Sequence, residues 1–225
     1  GAELKAPRGL AGQGGILYVA DMHHVRTFDL SSGAPLASVH LPGASLLGAI
    51  AVKDGIVYVT DTASVNQAGK TTAQSKGTLY KVAEGHVSVL TEGEHLESPT
   101  GIAVLDQQLL VIDSARGRLA AFSIHPPSST PSWTLALPAA EPHGLLLLPG
   151  PRIAVGSRRD DSVFVGNLTA DRQAAFEPAL EKIGAPGEIA FSGMGYDAAR
   201  ERLLLPIPRQ NQVRAIQTSL NAGEK

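Results

Sequence analysis

Apolar and polar residues alternate with a period of two over short stretches at 25–30, 78–82, 118–124, 162–168 and 212–217. A denser apolar and β-branched run precedes each stretch: Leu17-Tyr18-Val19-Ala20-Asp21, Val57-Tyr58-Val59-Thr60-Asp61, then 109–113, 153–157 and, more loosely, 203–208. In three cases a further alternating run follows, at 36–41, 86–90 and 132–137. Gly, Pro, Asp and Ser punctuate all of them, which predicts short antiparallel strands joined by tight turns. Only a turn or two around 178–183 has a helical pattern.

A short phrase sets the phase of these strands. Pro7-Arg8-Gly9-Leu10, Pro99-Thr100-Gly101-Ile102 and Pro142-His143-Gly144-Leu145 share one pattern, and Leu47-Gly48-Ala49-Ile50 and Pro186-Gly187-Glu188-Ile189 are degenerate copies. The variable second position (Arg8, Gly48, Thr100, His143, Gly187) steps by 40, 52, 43 and 44 residues. Self-similarity at that period, with four strands to a unit, predicts an all-β protein, a β-propeller. Five blades are visible, at about 7–45, 46–98, 99–141, 142–185 and 186–220, in a single domain. The last stops after its third strand, and residues 1–6 are too short and polar to supply a fourth. The expectation is therefore a propeller of six-bladed type whose N-terminal blade and closing strand are absent from this sequence, against the alternative of a five-bladed ring with one incomplete blade.

Composition narrows the function classes. The 225 residues include 24 Gly, 15 Pro and 43% apolar residues, as many short strands and tight turns require. Apolar runs fall well short of a membrane span, so a soluble domain with no membrane partner is expected. With no cysteine, disulfides and thiolate metal sites are excluded. A net charge of −2 gives no general electrostatic case for nucleic acid.

The stretch from Leu4 to Asp61, with Ala-Pro-Arg-Gly-Leu, Leu-Tyr-Val-Ala-Asp and Val-Tyr-Val-Thr-Asp, resembles bacterial members of the senescence-marker-protein, gluconolactonase and luciferin-regenerating-enzyme superfamily. The ending Arg202-Leu203-Leu204-Leu205-Pro206-Ile207-Pro208-Arg209-Gln210-Asn211-Gln212-Val213 resembles their final blade. The resemblance implies six blades and, for many such relatives, export to the periplasm or secretion. It also implies that the residue after Pro in the phrase supplies oxygen ligands to a divalent cation such as calcium, used in lactone hydrolysis. This chain departs from that pattern, with Thr100 where Asn is implied and His143 where Asp is implied, so no metal ligand is assigned.

Candidate chemistry gathers at the channel mouth. His143 reads either as a general base or ligand partnered by Glu188, or as a neutral imidazole hydrogen-bonded to a neighbouring inner strand. Arg8 and Thr100 complete the visible ring. Loops between second and third strands open on the same face and carry His23, His24, Arg116, Arg158-Arg159-Asp160-Asp161 and Arg209. Arg8, Thr100, His143, Glu188, Arg158 and Arg209 are the candidate ligand-binding residues, and an anionic small molecule is the expected ligand. The alternative is that Arg and Asp pair along the rim.

Other features read as architecture or contact surface. The insertion 62–77 is a hairpin tip or partner-contact loop; its Gly69-Lys70-Thr71 lacks the upstream glycine and following helix of a phosphate-binding loop. His23-His24 reads as a solvated turn, since adjacent strand-end residues point to opposite sides. Asp21, Asp61 and Asp113 recur in phase and read as turn caps. Ser114 and Ser157 have no readable triad. Three functions remain open: a ligand- or partner-binding propeller that has lost the lactonase ligands, a metal-dependent lactone or ester hydrolase, and a protein-interaction scaffold. An apolar channel would favour the scaffold.

Overall fold

The computed structural model describes residues 3–62, 76–159, 162–168, 174–180, 193–207 and 210–217, with backbone alone for 174–180. Glu188, Arg209, Asp160, Asp161 and insertion residues 63–75 lie outside the described residues. The chain is a propeller of five blades, each an antiparallel meander whose strand order follows the sequence. Blade 1 holds β1 (Pro7–Gln13), β2 (Ile16–Asp21), β3 (His24–Asp29) and β4 (Pro35–His40). Blade 2 holds β5 (Leu47–Lys53), β6 (Ile56–Asp61), β7 (Thr78–Ala83) and β8 (His86–Glu92). Blade 3 holds β9 (Pro99–Leu105), β10 (Gln108–Asp113), β11 (Arg118–Ser123) and β12 (Trp133–Ala136). Blade 4 holds β13 (Pro142–Leu147), β14 (Arg152–Ser157), β15 (Ser162–Leu168) and β16 (Ala174–Leu180). Blade 5 is described as three strands, β17 (Gly195–Asp197), β18 (Arg202–Ile207) and β19 (Gln212–Gln217).

Two sequence expectations need correction. Blade 4 has a fourth strand that the hydrophobic pattern does not reveal, and Pro178 lies in that strand rather than in a helical turn. Ala-Ala-Phe-Glu-Pro-Ala-Leu carries helix-forming residues, but β16 pairs only with β15 and has a register shift between Pro178 and Leu180. An outer strand tolerates a proline where a central one would not.

Burial on both faces explains why the second strands read as unbroken apolar runs. In β6, Val57 and Val59 pack toward blade 1 while Tyr58 packs toward blade 3. In β10, Leu109 and Val111 face blade 2, and Leu110 and Ile112 face blade 4. In β14, Ile153 and Val155 face blade 3 and Ala154 faces blade 5. The resulting core is a series of four apolar seams, one between each pair of consecutive blades. Among the described residues no fifth seam joins blade 5 to blade 1.

Inner strands pack side by side in order, β1 on β5, β5 on β9 and β9 on β13. The glycine of the repeated phrase makes this possible. A Cβ on Gly9 would strike the Gly48 carbonyl and the Ile50 backbone of the next blade, and one on Gly101 would meet the Leu145 nitrogen at 2.9 Å. Ile50 thus fills the space left by Gly9, and Leu145 that left by Gly101. Leu10 is their counterpart in blade 1; among the described residues no preceding inner strand packs against it, and it is 65% exposed while Ile50 is 7% exposed.

A recurring carboxylate holds each blade to the segment that enters it. Asp21 accepts from the Lys5 and Ala6 N–H groups, Asp61 from Ser45 and Leu46, and Asp113 from Glu97 and Ser98. These aspartates therefore cap the chain leading into the inner strand, not the turn that follows them. Burial alone would raise the Asp21 carboxyl, but the Ala6 N–H, the Arg26 guanidinium and the Lys5 N–H together hold it below the ordinary 3.8. A carboxyl depressed on folding contributes stability that is complete above its unfolded pKa and is lost as pH falls through the folded one. Urea midpoints of the parent and of Asp21→Asn should therefore differ most near neutrality and converge below about pH 3, because protonation removes the same charge. A gap that stays constant from pH 7 to pH 2.5 would contradict this role.

Candidate functional site

Each of the first four inner strands has a register shift at the same end, within or beside the repeated phrase. In β1 the shift falls between Pro7 and Gly9, so Arg8 is the extra residue. In β9 Pro99 and Gly101 oppose consecutive residues of β10, which leaves Thr100 extra. In β13 it falls between His143 and Leu145, at Gly144 with φ of 79°, and in β5 between Leu47 and Ile50. There the Thr60 hydroxyl accepts from the Ala49 N–H at 2.9 Å and satisfies the distorted backbone. Bulges re-aim side chains beside functional sites, and these four aim the variable residues at one mouth of the channel.

The ring of candidates then divides. Thr100 is buried, and its hydroxyl donates to the Pro142 carbonyl at 3.0 Å, so it ties the inner strands of blades 3 and 4 together. His143 is half-buried and opposes Gly156, next to the Pro142–Ser157 pair that leads to Arg158. Burial, the Arg158 charge and the Arg8 charge, in that order, push its pKa down to about 4. His143 is therefore neutral at physiological pH, and the positive charge at the mouth comes from Arg8 and Arg158. Among the described residues His143 makes no side-chain hydrogen bond. Its pairing with Glu188 falls outside the described residues, as does the place of Arg209; the described part of blade 5's inner strand begins at Gly195, beyond the phrase at 186–189.

Most rim arginines are neutralised by carboxylates. Arg26 binds Asp21 at 2.7 Å, Arg116 binds Asp113 at 3.0 Å and reaches Glu97, and Arg118 lies 3.5 Å from Asp113. Arg200 and Arg202 both hold Asp197. Arg116 thus pairs along the rim. Arg8 and Arg158 are exposed and have no ion-pair partner among the described residues. Blade 4 also lacks the recurring aspartate. Ser157 stands in its place and donates to the Ala140 carbonyl at 2.7 Å, so the carboxylate found at this position in blades 1 to 3 is missing where Arg158 emerges. The sequence assigns Ser157 no catalytic role, and its structural meaning is this loss of charge. The signal was available, since Asp21, Asp61 and Asp113 end the other second strands.

Below the mouth the channel's side chains are aliphatic, but backbone polar atoms make up the larger share of its exposed lining. A cavity of about 260 Å³ runs between the inner strands, lined by Gly9, Leu10, Ile50, Ile102, Leu145 and Met194 with their neighbours. No carboxylate or imidazole side chain is among its lining residues. A calcium ion does not fit the described donors: the Thr100 hydroxyl is committed to Pro142, and two arginine charges act on His143. Among the described residues no group of three His, Asp or Glu side chains is placed to hold a metal. No helix of the described residues is long and apolar enough to cross a membrane.

No protein-family model matches the chain, and no curated protein matches it. Solved structures do. The computationally designed Ika4 protein superposes with a TM-score of 0.53 at 17% identity, covering 73% of this chain and 92% of its own. The computationally designed Ika8 protein gives a TM-score of 0.54 at 16% identity over 94% of this chain and 61% of its own. Likeness at that identity bears on the fold alone.

Proposed function

We propose that this propeller binds a small organic anion, its acidic group between Arg8 and Arg158 beside His143 and its apolar body in the channel. The observation that carries the reading is the pair of arginines, from blades 1 and 4, left without carboxylate partners among the described residues beside a cavity with aliphatic side chains. A charge-assisted contact to an oxyanion contributes about 1.5–3 kcal/mol, and the Leu, Ile and Met side chains of the channel give the ligand's apolar part a contact surface. Binding is non-catalytic in this reading. The hydrolase alternative rests on the family resemblance, and a periplasmic or secreted setting rests on it too.

The ring belongs to the same proposal. A sixth blade and closing strand would cover Leu10 and form one seam with blade 5 and another with blade 1, where the described residues show none. The four seams and the exposure of Leu10 support this, and Leu4, Leu30 and Leu36 add exposed apolar surface to blade 1.

The test uses His143 as a reporter. An anion seated between the arginines offsets their charge but not the burial, so its binding should raise the His143 pKa above about 4 without restoring its ordinary value. Octanoate titrated against the protein, with the imidazole followed by NMR, should show this shift, while octylamine should not. Replacing Arg8 or Arg158 with Ala should each weaken octanoate by about ten- to a hundredfold. Unchanged affinity in the double variant, with His143 silent throughout, would remove the proposal.

A further inference from the structure

Pro7, Asp21, His24 and His40 form one row across blade 1, each opposed to the next through the β1–β2, β2–β3 and β3–β4 pairings. The row starts at the channel mouth and ends at the outer edge, where the two histidines meet. Directly opposed residues on neighbouring antiparallel strands point to the same face of the sheet. The His24 and His40 rings lie with centroids 5.0 Å apart and planes tilted by 58°. His40 is exposed and His24 half-buried, so a dissolved ion can reach them.

We propose that His24 and His40 form a two-imidazole chelate for a borderline transition-metal dication, copper(II) or zinc(II), on the outer rim of blade 1. Geometry supports it. With a metal–nitrogen bond of about 2.0–2.1 Å and roughly a further 1.1 Å from nitrogen to ring centre, two coordinated imidazoles have centroids about 4.5 Å apart at a square-planar angle and about 5.2 Å apart at a tetrahedral one. The observed separation falls inside that interval before any metal is present, so the two rings need only turn their nitrogens toward a common point. The chemistry agrees as well. Neutral nitrogen donors select copper, nickel and zinc over calcium or magnesium.

The chelate has two protein ligands. Asp21 is next in the row, but its oxygens are held by the Lys5 and Ala6 N–H groups and by Arg26. His23 sits in the turn, with its carbonyl accepting from Leu41 and its Nδ1 buried without a partner among the described residues. Two imidazoles leave the remaining positions of the metal to water or to an incoming donor group. The site is distinct from the channel and does not depend on the anion-binding reading.

Chelator-stripped protein titrated with zinc chloride, and separately with copper chloride, should bind one equivalent of each, copper more tightly, with calcium unable to compete. His24→Asn and His40→Asn should each weaken binding by about tenfold or more, because losing either ring destroys the chelate. His23→Ala should stay within about threefold of the parent. Copper at a small fraction of an equivalent should broaden the NMR signals of His24 and His40 together, ahead of His86, His95 and His125, which tests the parent protein without substitution. Broadening that begins elsewhere, a single histidine variant that binds like the parent, or no saturable binding by folded protein would each overturn the proposal.

Discussion

Replacing Asp113 with Ala should cost about 2–4 kcal/mol, since hydrogen bonds to a charged group contribute about 1.5–3 kcal/mol each and part of that is recovered from water. The Asp113 side chain is fully buried and accepts from three donors, the Glu97 and Ser98 N–H groups and Arg116, with Arg118 a further ion-pair partner at 3.5 Å. Alanine removes the acceptor of both backbone donors and leaves Arg116 and Arg118 without this carboxylate. Arg118 is already strained for partners, since its Nε is buried without one among the described residues. A loss of that size is a large part of the roughly 5–15 kcal/mol that holds an ordinary domain together. Urea unfolding followed by tryptophan emission should therefore show a large drop in midpoint, with Asp113→Asn intermediate because an amide oxygen still accepts one N–H. Loss below about 1 kcal/mol in Asp113→Ala would mean that the entering segment is held by other contacts.

Gly101→Val should be comparably damaging for a different reason. Its side chain would enter the space where β9 and β13 touch, with the first carbon already 2.9 Å from the Leu145 nitrogen and 3.1 Å from the Gly144 carbonyl carbon and from Ile112. Overpacking a rigid contact costs about 1–3 kcal/mol, and more when backbone must give way. Valine adds two further carbons, so we expect about 3 kcal/mol or more from Val and about 1–2 from Ala by the same reasoning. Gly12→Ala is the matched comparison: its nearest neighbour would be the Ile16 carbonyl at 4.0 Å, and it should change stability by less than about 0.5 kcal/mol. Equal thermal shifts for Gly12→Ala and Gly101→Ala would show that the inner strands have more room than their packing indicates.

What the sequence made legible is what the repeat constrains physically. Pro-x-Gly is readable because a bulge recurs at this point in each of the first four blades and the glycine meets the next blade closely at Gly9 and Gly101. The second strands are readable because burial on two faces leaves their middles almost wholly apolar. The outer strands are under weaker constraint, so the pattern of 174–180 does not reveal a strand and Pro178 reads as a helical turn. Pairings between distant positions left no local trace: nothing near His24 announces His40, and nothing near Thr100 announces the Pro142 carbonyl. The state of His143 was invisible for a related reason. It is set by burial, then by Arg158 and by Arg8, the last far away in sequence, so the neutral form follows only from the fold.

Among the described residues every hydrogen-bonded ladder joins strands that are neighbours in sequence. Each such blade can therefore close on itself over short loops, at small entropic cost, before it meets another. The seams between described blades are side-chain packing with isolated hydrogen bonds, such as Thr100 to the Pro142 carbonyl and the Leu47 N–H to the Met22 carbonyl, and carry no shared ladder. Such a chain has a natural unit of growth: duplication or loss of one blade-length segment leaves all surviving ladders intact and alters only the seams at the junction. Blade number is in that sense the least protected property of this architecture, and the fit between adjoining faces, not backbone pairing, decides where a ring stops.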